Sequence, residues 1–191
     1  MAPPVKRPAT HAEPGKARII LLNGASSAGK STLSKAIQQA LDEPFQHLAS
    51  DYLALGLPER RDSHGPFLWW GNLRPRFFDG FHRAIAAVAS AGNDLIVEHI
   101  IEFPQRRADL RRLLQPFDVF LVGVTCSIEE LERRERQRGD RRIGEGRSHL
   151  EDNRIHDFGP YDFQIETTGR EPTHAAAEVV ERWRARSSTV L

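Results

Sequence analysis

From Gly24 to Thr32 the chain reads Gly-Ala-Ser-Ser-Ala-Gly-Lys-Ser-Thr, which matches the phosphate-loop pattern G-x-x-x-x-G-K-S/T. Each letter answers a demand of polyphosphate chemistry. Glycines permit the backbone angles that turn successive N–H groups inward as an anion nest. A helix starting near Lys30 adds the positive end of its dipole. The Lys30 ammonium can reach β- and γ-phosphates, and the Ser31 hydroxyl can ligate Mg²⁺. A Gly/Ser-rich turn would fit this pattern by accident in only about one percent of such chains. Gly24, Ala25, Ser26, Ser27, Ala28, Gly29, Lys30, Ser31 and Thr32 are therefore the expected nucleotide-binding residues.

Two carboxylates stand where such a loop would need them. Asp51 follows the short run Phe45–Ser50 and is expected at the carboxyl edge of the sheet, where open α/β folds bind ligands. There it can orient an acceptor hydroxyl for in-line attack and take its proton late, or it can simply cap the next helix. Glu98 ends the apolar run Leu95–Val97, the position from which a carboxylate holds Mg²⁺ directly or through water. The eight histidines, His99 among them, are scattered and form no zinc spacing, so no structural metal is expected.

Arginines crowd the stretch 133–147, where Arg133, Arg134, Arg136, Arg138, Arg141, Arg142 and Arg147 face three carboxylates. One reading is a solvated helix face laced with ion pairs. The other is a lid, over about 138–150, whose planar guanidinium forks close on a transferring phosphoryl group. Arg134 and Arg138 are i, i+4 neighbours able to share one face. The aromatic segment Phe67-Leu-Trp-Trp70 is either core or the wall of an acceptor pocket.

Residues 1–17, rich in Pro, Ala and charge without periodicity, read as a flexible tail before one domain over 18–191. The continuous apolar runs at Arg18–Asn23, Asp94–Ile100 and Asp118–Cys126 suit strands buried on both faces. Leu33, Ile37 and Leu41 mark a helix after the loop, and Phe77, Phe81, Ile85 and Val88 mark another over Arg76–Ala91, with 52–75 left irregular. Pro104 opens a third helix. Ser127 and Glu130 form a capping box for a fourth. A last strand at Phe163–Thr167 precedes a helix from about Pro172 to Arg186. Alternation of this kind gives an α/β three-layer domain with a parallel sheet.

Composition narrows the class. Hydrophobic residues at 39% and charged ones at 28% fit a globular domain. Lys and Arg total 27 against 26 Asp and Glu, a balance that provides no global footprint for nucleic acid or an anionic membrane. The chain has one cysteine, Cys126, no secretory h-region and no apolar run long enough to span a bilayer, so the cytoplasm is the expected location.

Taken together, "ILLNGASSAGKS", "SDYL", "VGVTC", "RRERQRGDR" and "IHDFGPYDFQIETT" resemble the chloramphenicol phosphotransferase-like family of phosphate-loop small-molecule kinases, in order and rough spacing. The resemblance implies a P-loop kinase fold with a five-stranded parallel core, ATP with Mg²⁺, and a hydroxylated small molecule as acceptor. It further implies Asp51 as catalytic carboxylate, Lys30 and Ser31 serving nucleotide and metal, and Arg134 and Arg138 in the lid. His156, Tyr161 and Thr167 sit in matching segments without a derivable role. Glu98-His99 departs from a pair of aspartates in the antibiotic kinase. The expected activity is ATP-dependent phosphoryl transfer to an alcohol. The alternatives are a nucleoside or nucleotide kinase, or a nucleotide switch, although the N-K-x-D base-reading motif of guanine-nucleotide switches is missing.

Overall fold

The computed structural model describes residues 16–54, 56, 70–138 and 143–186, with 70–72 as backbone only. Five strands form one parallel sheet: β1 (Arg18–Gly24), β2 (Phe45–Ala49), β3 (Asp94–His99), β4 (Asp118–Thr125) and β5 (Phe163–Glu166), in the order β2-β3-β1-β4-β5. Seven helices join them: α1 (Lys30–Ala40), α2 (Ser50–Ala54), α3 (Trp70–Ser90), α4 (Pro104–Leu114), α5 (Ile128–Arg138), α6 (Glu145–Glu151) and α7 (Pro172–Ala185). The three-layer P-loop architecture expected from the sequence is the one observed.

The strands are continuous apolar runs because each face meets a helix layer. Ile20 and Leu22 of β1 pack with Leu33 and Ile37 of α1 and Val179 of α7, while Ile19 and Leu21 pack with Phe81 and Ile85 of α3 and Leu110 of α4. Each of these side chains is at most 3% exposed. The chain leaves β1 for β2 and β3 on one side and reaches β4 on the other, so the loop after β1 stands at the topological switch point. Register does the finer placing. Leu22 lies beside Glu98 and Val122, and Asn23 beside His99 and Gly123, so Glu98 stands level with the root of the loop.

Three local expectations are revised. α3 begins at Trp70 rather than Arg76 and carries Pro75 inside it. Proline lacks the N–H that would bond the Gly71 carbonyl, but so near the helix start the loss falls on one bond and the helix runs on. α2 occupies part of the stretch read as irregular, and Asp51 sits in its first turn rather than at its cap. The capping box is half formed. The Glu130 N–H donates to Ser127 Oγ at 3.3 Å, but the Ser127 N–H donates to Thr168 Oγ1 at 2.8 Å, leaving the Glu130 carboxylate to Arg133 and Arg134. Phe67, Leu68 and Trp69, Arg141 and Arg142, and all of the expected tail except Lys16 and Ala17 lie outside the described residues. No helix among the described residues is long and apolar enough to cross a membrane.

Candidate active site

The loop between β1 and α1 is shaped by two different uses of glycine. Gly29 caps α1 at φ 86°, the left-handed region that glycine enters freely. Gly24 is needed for another reason: a methyl group there would collide with the Val124 carbonyl of β4. Ser27 also takes a positive φ, 61°, without the freedom of glycine, a conformation that the surrounding structure must hold. The Lys30 ammonium donates to the carbonyls of Gly24 at 2.9 Å and Ala25 at 2.7 Å, which fixes its charge at the rim of the loop.

Ser31 Oγ donates to Glu98 Oε2 at 2.8 Å. The other carboxylate oxygen meets Nε2 of His47 on β2, whose Nδ1 lies 2.8 Å from the Tyr52 hydroxyl on α2. Burial alone would raise the Glu98 pKa. The contacts from His47 and Ser31, with the charge of Lys30, outweigh it and hold the group below the usual carboxylate range. A hydroxyl at the mouth of the loop and a buried, ionised carboxylate side by side are hard oxygen donors of the kind that bind Mg²⁺.

One cavity of about 630 Å³ gathers most of the expected residues. Ser26, Ser27, Gly29, Lys30, Ser31 and Thr32 line it, together with Asp51, Glu98, Arg134 and Arg138. Gly24, Ala25 and Ala28 lie beneath the lining, both alanines 1% exposed. Arg134 and Arg138 share one face of α5, as their spacing predicts, and Arg134 is docked onto the loop. Its guanidinium donates to the Ser27 carbonyl at 3.3 Å, to Thr167 Oγ1 at 3.3 Å and to the Thr167 carbonyl at 2.9 Å, while Glu130 holds its Nε at 2.8 Å. The ion-pair reading of this stretch also holds, for Arg133 with Glu130 at 2.5 Å and Arg147 with Glu132 at 2.8 Å.

Residues 17–184 match the model of the chloramphenicol phosphotransferase-like protein family. The chain belongs to this family. Among curated proteins it is 30% identical, over 88% of its length and 83% of theirs, to "Putative O-phosphotransferase Rv2636" and "Putative O-phosphotransferase MT2714" of two Mycobacterium tuberculosis strains. Its fold is similar to that of the Mycobacterium tuberculosis APS kinase CysC in complex with AMPPNP and APS (TM-score 0.63, 18% identity, 89% of this chain and 99% of that one). It is likewise similar to shikimate kinase from Acinetobacter baumannii in complex with shikimate (TM-score 0.61, 16% identity, 88% and 94%). A third is the Deinococcus radiodurans tunicamycin resistance protein (TM-score 0.61, 17% identity, 87% and 95%). This member of the phosphotransferase family is thus a nucleotide-binding small-molecule kinase, an enzyme that moves phosphate to a hydroxyl.

Several side chains around this kinase site have roles that could not be read from the sequence. Thr167, at the end of β5, donates to the Ala28 carbonyl at 2.8 Å and so braces the loop from outside. His149 of α6 accepts the Ser26 N–H at Nδ1, 3.2 Å away, and turns Nε2 toward Glu102 at 3.5 Å. Glu102, 5% exposed, also holds Arg74 of α3 and Arg106 of α4; burial alone would raise its pKa, but the contacts from His149 and Arg74 outweigh this and hold it below the usual carboxylate range. His99 is structural. Its Nδ1 accepts the Ile100 N–H at 2.9 Å, so a neutral ring carries its proton on Nε2, which lies 2.7 Å from His82 Nε2. Burial, with Arg106 nearby, pushes His82 down to about 4, and burial sends His99 well below the ordinary histidine value.

Proposed function

We propose that the chain transfers the γ-phosphate of ATP, with Mg²⁺, to a hydroxyl of a small organic acceptor in the cytoplasm. The observation that carries this reading is the single cavity in which the phosphate-loop lysine, the Ser31–Glu98 pair, Asp51 and two arginines of α5 meet. A polyphosphate seated on the loop amides places its terminal phosphoryl group among Lys30, Arg134 and Arg138, whose charges offset what develops on the equatorial oxygens. Asp51 accepts the hydrogen bond of the acceptor hydroxyl, orients its oxygen for in-line attack and takes the proton as the new bond forms. Ser31 and Glu98 would hold Mg²⁺, which would supply positive charge to offset that of the polyphosphate.

The family relatives named as O-phosphotransferases support an oxygen acceptor, and the balanced charge of the chain supports a small molecule over a polynucleotide. The test compares wild type, Lys30→Ala and Asp51→Asn for nucleotide binding by calorimetry and for transfer to a panel of hydroxylated molecules. Lys30→Ala should lose turnover. Asp51→Asn should bind ATP within about twofold of wild type and lose roughly 10²-fold or more in transfer. Normal transfer by Asp51→Asn would remove that residue from the mechanism.

A further inference from the structure

A second cavity lies on the α3/α4 face of the sheet and shares no lining residue with the first. It exists because the helix layer there is incomplete. β5 points Gln164 and Glu166 to solvent on this face, and the segment 154–162 crosses in place of a helix. Between that segment and α4 a space of about 300 Å³ opens, walled by Leu21 and Leu121 of the sheet, Leu110 and Leu114 of α4, and Phe158 and Tyr161 of the segment. The Tyr161 wall is held in place. Its hydroxyl takes the Asn23 amide at 2.6 Å and lies 2.9 Å from His156 Nδ1, and its ring presses on Gly123, where a Cβ would stand only 2.9 Å away. The ring therefore does not swing inward to fill the space.

The polar groups at the mouth are of unequal charge. Asp162 is already engaged, its carboxylate accepting the Leu121 N–H at 2.7 Å. Arg107 donates to the neutral carbonyls of Gly159, at 3.0 Å, and Pro160, and stands 5.3 Å over the Tyr161 ring. Arg111, one helical turn on, has no hydrogen bond or ion pair among the described residues and is exposed. Burial lowers the Arg107 pKa, and the like charge of Arg111 adds to this against a partial offset from Tyr161 and Asp162. Two guanidinium groups thus border an apolar slot with no ion pair among the described residues to neutralise either of them.

We propose that this second cavity binds a small organic carboxylate, its apolar body against the leucines, Phe158 and Tyr161, and its carboxylate on Arg107 and Arg111. The slot supplies apolar burial and the guanidinium forks match a planar carboxylate. The test titrates the full chain with 4-phenylbutyrate by NMR and calorimetry while saturating ADP occupies the phosphate loop. Because turnover is not read, its outcome is independent of the phosphoryl-transfer proposal. One saturable site is expected, weakened about tenfold or more by Arg111→Glu, weakened less by Arg111→Lys, which keeps the charge and loses the fork, and about tenfold weaker for 4-phenylbutanol. Arg111 is exposed, so these variants leave the fold intact. The proposal is overturned if no saturation occurs by about 10 mM, if ADP displaces the probe, or if Arg111→Glu or the alcohol binds within about twofold of the reference.

Discussion

Thr167 shows how one hydroxyl couples parts of the site that are far apart in the chain. It donates to the Ala28 carbonyl of the phosphate loop and accepts from Arg134 of α5. Thr167→Val keeps the shape and removes both bonds, leaving a buried loop carbonyl without its side-chain donor. We expect a loss of about 1–2 kcal/mol in stability by denaturant unfolding and ADP binding weakened several-fold by calorimetry. Unchanged ADP affinity would mean that the loop holds its shape without this brace. The loop itself was legible from its own letters, because the nest, the helix start, Lys30 and Ser31 are local chemistry. Thr167, His47 and His149 were not, since each acts on a partner brought near only by the sheet. Even Gly24 was legible for a different reason from the one observed: its letter is demanded by the close approach of β4 and not by a special φ.

Among the elements, α5 and α6 show how the arginine-rich stretch is built. Glu135 is wholly buried on α5, yet its carboxylate accepts the backbone N–H groups of Gly144 at 2.7 Å and Gly146 at 2.8 Å, satisfying orphan donors at the start of α6. A Cβ on Gly146 would stand 2.8 Å from the Ser26 carbonyl, so α6 lies directly on the phosphate loop and delivers His149 to it. Glu135→Gln replaces one acceptor oxygen with a donor facing an N–H. It should cost about 1–3 kcal/mol, read by denaturant unfolding, and raise amide exchange across residues 143–149. Exchange unchanged there would show that α6 is held by other contacts. The sequence pattern announced α5 through its cap and charges, whereas α6, seven residues long with a glycine inside it and another at its cap, has no apolar period to reveal it. Pro75 misled in the opposite direction, since a breaker near a helix start is tolerated when the face behind it, Phe78 and Phe81, is buried.

For the whole molecule, the buried neutral histidines make a statement about acid. His82, at about 4, and His99 both titrate below the ordinary value of 6.5 in the folded chain. The unfolded chain therefore binds these protons first as pH falls. Their contribution to stability is complete above pH 6.5 and is lost progressively toward about 4, with the depressed carboxylates Glu98 and Glu102 extending the loss below their usual 4.5. The thermal midpoint should drop as pH is lowered from 6.5 to 4, and His82→Leu should flatten that slope without abolishing it, because His99 remains. A wild-type midpoint constant across this window would contradict the buried neutral pair. The architecture was the most legible level of all, since strands buried on both faces must be apolar throughout and helices between them must be amphipathic. What the pattern does not contain is which distant groups meet at the sheet's carboxyl edge.

The central claim is tested most directly by following one acceptor in the presence of ATP and Mg²⁺, reading both ADP release and the mass of the acceptor. Across a panel of hydroxylated small molecules, wild type should yield a product heavier by one phosphoryl group, formed in step with ADP. Asp51→Asn should retain nucleotide binding but form that product at least about a hundredfold more slowly. Nucleotide binding with no acceptor phosphorylated, or an Asp51→Asn variant as fast as wild type, would contradict the account.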